Sequence, residues 1–321
     1  MNAHSLIPND KTATDVVDNA YTITLLIEAK LSNPNGDPDR DNAPRIDPIS
    51  RRGLISDVSI KRKIRDYLAA EYSMPLHVAN GSILNDNVTE VTESLGIAVN
   101  RATKAEKAAK AKSKAKEDEP AESVETKKSS LTAEEASNIR RGMCDKYVDV
   151  RLFGAVLGTG NIPAGYCHGP VQVAIAESIS PIITLEMAIT RCAATNTERA
   201  VNATEMGRKH MVAYGLYRTE IHISGPRAAK TGMTYGDVQN LVHSLKMMWE
   251  LDRSAARGMM SSRDIIVMRH HSPRCNAPSY LLRDLVSVTR SNGSNNDPAT
   301  DYSDYTIKIG KMPEGVTLVA S

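Results

Sequence analysis

The feature that most constrains the fold of this chain is the order in which its apolar segments follow one another. Residues Tyr21–Glu28 are β-branched and apolar and lead into the turn-rich segment Asn33–Pro38, as expected for a buried strand followed by a long loop. In Asp57–Glu71 the apolar residues recur at helical spacing, which predicts an amphipathic helix. The same criteria predict strands at Gly169–Ser178, Gly215–Ser224 and Asp264–His270, and a helix at Val238–Trp249.

These elements follow the order β-α-β-β-α-β, which is that of the ferredoxin-like split unit and of the RNA-recognition motif. We therefore predict an α+β fold with two insertions. The first spans residues 74–143 and contains a low-complexity stretch at 101–130, rich in Ala, Lys and Glu and without an apolar stripe. The second is polar and lies between the two central strands, at residues 179–214. Ferredoxin-like sheets support many activities, so the fold alone does not indicate a function.

Composition narrows the classes of function. The 40 Lys and Arg residues nearly balance 38 Asp and Glu residues, so affinity for a nucleic acid would have to come from local clusters of positive charge. The four cysteines contain no C-x-x-C pair, which argues against a zinc site or a disulfide framework. Because the sequence has neither a secretion signal nor a long apolar run, we expect a cytoplasmic protein with reduced thiols.

The strongest cluster of positive charge lies on the first predicted helix. Lys61, Arg62 and Arg65 fall on one face of that helix, beside its apolar stripe, and Arg45, Arg51 and Arg52 precede it. Like charges at this spacing destabilise an isolated helix slightly, so phosphate groups of an external polyanion are a natural partner. The alternative is an ordinary solvated basic face.

Two further basic groups occur later in the chain. Arg253 and Arg257 flank small residues that lead to Gly258, which is suited either to a phosphate-binding turn or to a helix end whose arginines bind carbonyls and nearby acids. In the second insertion, Gly207–Met211 offers two cations and an apolar tip, which predicts either a wedge between bases or a plain surface turn. Met206 or Met211 would form the wedge.

Acidic residues and histidines supply few signs of catalysis. The loop carrying Asp37, Asp39 and Asp41 lacks the final acidic ligand of a calcium-binding loop, although Asp37 or Asp39 could serve a ribonuclease. The adjacent pairs Cys167-His168 and His270-His271 would point to opposite faces of a strand and could not chelate together. We find no phosphate-binding, dinucleotide-binding or nucleophile-elbow motif, and we predict neither metal nor cofactor.

Seven blocks, taken together and in order, resemble the seventh CRISPR-associated protein family in its type I-C form, which supplies the backbone subunit of Cascade within the RAMP superfamily. The resemblance runs from about Tyr21 to Gly315. The blocks are Asn33–Pro38, Pro44–Asp47, Asp57–Val58 with Ile60–Arg65, Asp149–Gly154, Gly169–Gln172, Met206–His210 and Asp252–Gly258.

The resemblance implies a hand-shaped subunit. The RRM-like palm would comprise residues 20–73, 144–178 and 215–315, with residues 74–143 as the finger or web and residues 179–214 as the thumb. Family members stack head to tail along the guide RNA, and such a stack requires an open, heterologous contact between copies. Base pairing between the guide and target DNA would then provide specificity in antiviral defence.

The resemblance also implies partners and site residues. The partners would be the CRISPR guide RNA, target DNA, further copies of the chain, and other Cascade subunits, including the guide-processing subunit and the large subunit. No catalysis is implied; the rival reading is a metal-dependent endoribonuclease like the type III relatives, using Asp37 or Asp39. The candidate RNA-binding residues are Arg45, Arg51, Arg52, Ser59, Lys61, Arg62, Arg65, Met206, Arg208, Lys209, Arg253, Arg257 and Arg263.

Overall fold

The computed structural model of the chain describes residues 6–97, 131–158, 162–191 and 205–320. The predicted low-complexity stretch at 101–130 lies outside the described residues, as do residues 192–204 of the second predicted insertion. The chain divides into two compact units, one formed by residues up to Met74 together with those from Pro170 onward, and one formed by Pro75–Gly169. No helix among the described residues is both long and apolar enough to cross a membrane.

The helices and strands of the described residues are as follows. The helices are α1 (Asp57–Tyr72), α2 (Leu84–Ser94), α3 (Ala133–Lys146), α4 (Val148–Phe153), α5 (Gly225–Thr231), α6 (Tyr235–Leu251) and α7 (Ser279–Leu285), with short 3₁₀ helices at Pro38–Arg40 and Tyr302–Asp304. The strands are β1 (Tyr21–Ser32), β2 (Gly36–Asp37), β3 (Ala43–Pro44), β4 (Arg52–Ile55), β5 (Gly154–Val156), β6 (Tyr166–His168), β7 (Val171–Val173), β8 (Ala176–Pro181), β9 (Thr184–Arg191), β10 (Glu205–Ile223), β11 (Met260–His270), β12 (Val286–Arg290), β13 (Tyr305–Ile309) and β14 (Val316–Ala320).

The larger unit is built on an antiparallel sheet, so the protein has a mixed α/β fold with a central antiparallel sheet. The strands of the sheet lie in the order β14-β11-β1-β10-β8-β4, and both β7 and β9 also pair with β10. The pairing of β1 with β10 runs from Tyr21 opposite Ile223 to Ser32 opposite Val212. On its other side β1 pairs with β11, and the register shifts between Leu26 and Ile27.

Apolar layers cover both faces of this sheet. Successive residues of a strand point to opposite faces, and Leu25 and Leu26 in β1 are both fully buried. Leu26 packs in a cluster with Val288 of β12 and Tyr305 of β13, so the C-terminal hairpin covers its face of the sheet. Helix α6 packs against β11 and against α1. Its apolar stripe, which includes the fully buried Trp249, explains why the predicted second helix forms where it does.

Helix α1 begins and ends where the sequence indicates. The side-chain hydroxyl of Ser56 accepts a hydrogen bond from the backbone N–H of Ser59 and caps the helix, while Ile60 and Ile64 are fully buried. The helix ends at Tyr72 and is followed by Ser73, whose φ of 52° lies in the left-handed region. The sequence therefore predicted this helix, with its solvent-facing side, to within one residue of its C-terminal end.

Two strand predictions differ from the structure. The predicted strand Gly169–Ser178 is two strands, because both Ala174 and Ile175 turn outward to solvent between β7 and β8. The predicted strand Gly215–Ser224 is the second half of β10, which is 19 residues long and also carries the Gly207–Met211 segment. That segment pairs with β9, so it belongs to a strand rather than to a turn.

The smaller unit has its own core. Helices α2, α3 and α4 bring together apolar side chains that include Val91, Ile139, Met143 and Val150. The buried carboxylate of Asp149 accepts hydrogen bonds from the backbone N–H groups of His77 (2.8 Å) and Val78 (3.0 Å), which anchors the start of this unit. Within the resembling block Asp149–Gly154, this aspartate therefore has a structural role.

Candidate nucleic-acid interface

The turn at residues 252–258 is the centre of the candidate site. The carboxylate of Asp252, at the end of α6, accepts hydrogen bonds from Nζ of Lys63 (2.6 Å) and from Nε of Arg257 (2.6 Å). Only 9% of the Lys63 side chain is exposed, so this pair is largely removed from solvent. A carboxylate at a helix C-terminus opposes the helix dipole, and the two cations offset that cost. The turn is thereby joined to helix α1.

Two other elements contact the same turn. The backbone N–H of Asn33, which follows β1, donates to the carbonyl oxygen of Ala256 (2.7 Å). The Nζ of Lys209, on β10, donates to the carbonyl oxygen of Ala255. The structure therefore brings together the basic helix, the loop after β1, the 252–258 turn and the basic segment of β10, which come from three separate parts of the sequence.

The loop after β1 is held in a defined shape. The side-chain amide of Asn33 donates to the carbonyl oxygen of Asn42 (2.7 Å), and Oδ1 of Asn35 accepts from the backbone N–H of Ser56 (2.9 Å). At Gly36 an added Cβ would lie 1.9 Å from Oδ1 of Asn42, so only glycine fits there. Asn33 thus closes the loop on itself, and Asn35 ties it to the N-terminus of α1.

On the outer face of α1 the cations Lys61 and Arg62 pair with acids of the same helix. Lys61 pairs with Asp57 (2.9 Å) and Arg62 with Asp66 (3.6 Å), each one helical turn away. The Arg62 side chain is 68% exposed, whereas that of Lys61 is 19% exposed. Ser59 and Arg65 are half-buried on the same helix. Pairs of this kind contribute little in water, so phosphate oxygens can replace the carboxylates.

The arginines before α1 differ from one another. Arg45 pairs with Asp37 (3.3 Å), and Arg52 pairs with Glu177 of β8 (3.6 Å) beside a cavity of about 330 Å³. Arg51 is exposed, has a left-handed φ of 59°, and makes no ion pair with any residue that the structure describes. Of the three, Arg51 is the one whose guanidinium is open to a ligand.

The strand pair β9–β10 presents an apolar and a basic residue to solvent. Met206 is 86% exposed, whereas Met211 is buried, so Met206 alone of the two predicted wedge residues can reach a ligand. Arg208 is 72% exposed and pairs with Glu186 across the two strands (2.8 Å). Met206 lies opposite Thr190, toward the far end of the described part of this strand pair.

The last two predicted arginines lie in different surroundings. Arg253 is exposed within the 252–258 turn and pairs with Glu250 on the preceding helix. Arg263, on β11, pairs with the buried Glu28 (2.7 Å), and its guanidinium lies over the ring of Tyr302, 4.7 Å from the ring centroid. The hydrogen bond to Glu28 raises the pKa of Arg263. Because Glu28 is only 5% exposed, Arg263 neutralises a buried charge within the sheet.

The loop aspartates have structural contacts. The Asp37 carboxylate caps the 3₁₀ helix by accepting from the backbone N–H of Asp39 (3.4 Å), in addition to pairing with Arg45. Asp39 and Asp41 are exposed. Among the described residues, no group of three or more His, Cys, Asp or Glu side chains is arranged to hold a metal ion.

Sequence reasoning missed the residues that assemble the site. Lys63 points away from the other helix cations, as its position predicts, but its pairing with Asp252 spans 189 residues and has no local signature. The one available signal was Asp252 itself, because an acidic residue at the end of a helix is unfavourable unless cations compensate it. The asparagines at 33 and 35 carried no signal beyond turn formation.

The fold and this surface define an α+β protein with a central antiparallel sheet and a clustered basic face. The profile of a family described as "CRISPR-associated protein Cas7" matches residues 19–310, and the chain belongs to that family. A "CRISPR-associated protein Cas7" of Haloferax volcanii is 44% identical over 50 residues, which are 16% of this chain and 15% of that protein. The match to this curated relative thus spans well under a fifth of either chain.

Two solved structures are also similar. A chain of "CRISPR RNA-guided surveillance complex, pre-nicking" is 14% identical with a TM-score of 0.48, and the match covers 81% of this chain and 79% of the other. A chain of "CRISPR RNA-guided surveillance complex" is 15% identical with a TM-score of 0.43, covering 81% and 71%, respectively.

Proposed function

We propose that this protein is a non-catalytic subunit that binds CRISPR guide RNA in many copies, as the backbone of a type I-C Cascade complex. Membership of the family supports an RNA-binding role. The observation that carries the proposal is the 252–258 turn, which holds helix α1, the loop after β1 and Lys209 of β10 at one place. Three dispersed basic segments converge there with the loop after β1, which is suited to contact with one extended polyanion.

The chemistry of this surface is suited to a phosphate backbone. Lys61, Arg62 and Arg65 would contact phosphate oxygens, with Arg51 and Arg253 as further exposed cations. Contacts of this type are independent of base sequence, so specificity would come from pairing between guide and target. The exposed Met206 would pack against or between bases where the chain has few aromatic rings available.

We further propose that the larger unit is a ferredoxin-like palm. The first, second, third and fourth predicted strands correspond to β1, β7–β8, β10 and β11. In the sheet they lie in the order fourth, first, third, second, and each is antiparallel to its neighbours. This is the strand order of the ferredoxin-like unit and supports the proposed topology. On this proposal residues 74–143 form the finger or web and residues 179–214 the thumb. Copies would stack head to tail in the cytoplasm, together with the guide-processing and large subunits.

The contacts of Asp37 support a non-catalytic role over the endoribonuclease alternative. A ribonuclease acid needs a carboxylate that is open to metal or to the substrate hydroxyl. The Asp37 carboxylate instead caps a 3₁₀ helix and pairs with Arg45. Asp39 is exposed, but it belongs to no cluster of metal-ligating side chains among the described residues.

The test is to purify the protein from cells that carry its CRISPR array and to sequence the RNA that elutes with it. We expect guide-length RNA with spacer sequence in a particle that contains several copies of the chain. RNA-free protein, or protein that cuts added RNA in the presence of Mg²⁺ or Mn²⁺, would contradict the proposal. Random cellular RNA would support general RNA binding but contradict the guide-specific role.

A further inference from the structure

Two cysteine thiols lie in contact inside the smaller unit. The Sγ atoms of Cys144, on α3, and Cys167, on β6, are 3.5 Å apart although the residues are separated by 23 positions. Both cysteines are free, and neither takes part in the candidate RNA interface. Closing this gap to a disulfide bond of about 2.05 Å needs a movement of roughly 1.5 Å, within the range of side-chain rotation.

The backbone around Cys167 fixes the approach. Strand β6 pairs with β5 so that Cys167 lies opposite Ala155. Gly154 has a φ of 78°, and an added Cβ there would lie 2.3 Å from the carbonyl oxygen of Cys167, so a glycine is required at this position. Cys144 belongs to the apolar core of the unit, and Cys167 packs against that core. The two sulfur atoms are therefore held together by the fold.

The two thiols are not equivalent. Cys144 is buried, and its hydrogen bond with Cys167, together with burial, raises the pKa of its thiol. The hydrogen bond from Cys144 lowers the pKa of Cys167, and the charge of Arg140 lowers it further. Arg140 is held nearby by donating to the carbonyl oxygen of Ala164 (2.8 Å). Since the thiolate is the nucleophile, Cys167, which is also the more exposed of the pair, reacts first.

We propose that Cys144 and Cys167 are a redox-active thiol pair that hydroperoxides convert into an intramolecular disulfide. With hydrogen peroxide, in the first step the Cys167 thiolate attacks one peroxide oxygen, the O–O bond breaks, and protonation of the leaving hydroxide gives water and a sulfenic acid; with an organic hydroperoxide the leaving alkoxide is protonated to an alcohol instead. In the second step the Cys144 sulfur attacks the Cys167 sulfur, the S–O bond breaks, and the Cys144 proton leaves with the hydroxide as a second water molecule. Two thiols are oxidised by two electrons and one peroxide is reduced.

The test treats the full-length protein with hydrogen peroxide, denatures it, alkylates the remaining thiols and maps its peptides by mass spectrometry. The chain has four cysteines, and we expect two fewer free thiols and a peptide in which Cys144 is bonded to Cys167. Four remaining thiols, a Cys167 sulfinic acid without the bond, or bonds that involve Cys275 instead would overturn the proposal.

Matched variants separate the two steps. Cys275→Ser removes an exposed thiol outside the pair and is expected to form the disulfide at the wild-type rate. Cys144→Ser keeps a hydrogen-bond donor beside Cys167 but removes the resolving sulfur, so a sulfenic acid at Cys167 should accumulate and be trapped by dimedone. A Cys144→Ser protein whose Cys167 reacts no faster than Cys275 would contradict the assigned order. None of these measurements requires RNA, so they stand apart from the test of the RNA-binding role.

Discussion

The outer face of helix α1 and the 252–258 turn carry similar positive charge, but they hold it in different ways. On the helix, Lys61 and Arg62 pair with acids one turn away, and the Arg62 side chain is 68% exposed. In the turn, Asp252 holds Lys63 and Arg257 in a network in which the Lys63 side chain is only 9% exposed. The charges of the first region can exchange partners, whereas those of the second are committed to each other.

This difference assigns separate roles to cations that are neighbours in the sequence. Lys61, Arg62 and Lys63 are consecutive, yet Lys61 and Arg62 pair with acids of their own helix, whereas Lys63 fastens the helix to the turn. Substitutions in the turn network should therefore lower the stability of the fold, and they should weaken RNA binding only as a consequence of that loss. Changes on the helix face should act on RNA binding with little effect on stability. The predictions below test this separation.

The largest expected effect is on stability. Lys63→Met removes one partner of a largely buried carboxylate while keeping the aliphatic volume, and we expect the free energy of unfolding to fall by about 2 kcal/mol. Arg257 still pairs with Asp252, which keeps the loss below that of an unpaired buried charge. Denaturant unfolding monitored by circular dichroism measures this change.

The matched control for this prediction is Arg62→Ala, one position earlier on the same helix. Its exposed ion pair contributes little, so we expect a change below about 0.5 kcal/mol. If both variants lost the same stability, the proposed distinction between the turn network and the helix face would be wrong.

The second prediction concerns affinity for RNA. Lys61→Ala combined with Arg65→Ala removes two cations from the helix face, and we expect single-stranded RNA to bind about tenfold more weakly, whatever its sequence. The slope of log K against log salt concentration should become shallower by about 1.4, since each phosphate contact with a single strand contributes about 0.7. Fluorescence anisotropy over a range of salt concentrations measures both quantities.

The control for the helix-face variant removes the same charge elsewhere in the larger unit. Arg227 and Lys230 are exposed on α5, outside the proposed interface, and Arg227→Ala with Lys230→Ala should leave the salt slope nearly unchanged. An equal loss in both double variants would mean that RNA responds to total charge and that helix α1 is not the binding face.

Whether a feature of the fold or of the candidate site could be predicted from the sequence depends on how far apart its interacting residues lie along the chain. The helix face could be predicted because Ile60 and Ile64 repeat at helical spacing and so orient Lys61 and Arg65 beside them. The turn network could not, because a pair separated by 189 residues forms only after the sheet has brought α1 and α6 together. The break between β7 and β8 was missed because Ala174 and Ile175 continue the apolar run in the sequence, although both are exposed in the structure.

A third, smaller effect is expected in the β9–β10 strand pair. Arg208→Ala removes an exposed cation that already shares its charge with Glu186, so we expect RNA binding to weaken by only about threefold. Glu186→Gln leaves Arg208 without its competitor and should strengthen binding by a similar factor. The two variants have opposite expected signs, so a change of the same sign in both anisotropy titrations would exclude a direct contact between Arg208 and RNA.

The last prediction, for which no change in RNA integrity is expected, tests the absence of catalysis against the loop aspartates. Asp37→Ala frees Arg45 and removes a 3₁₀ cap, so it should lower stability by about 1 kcal/mol, while Asp39→Ala, at an exposed position, should change almost nothing. We expect wild-type protein and both variants to leave labelled RNA intact during incubation with Mg²⁺ or Mn²⁺. If the wild-type protein cleaved RNA and either substitution abolished the cleavage, the loop would be a ribonuclease site. Loss of a helix cap alone does not abolish a metal-dependent reaction in a protein that remains folded.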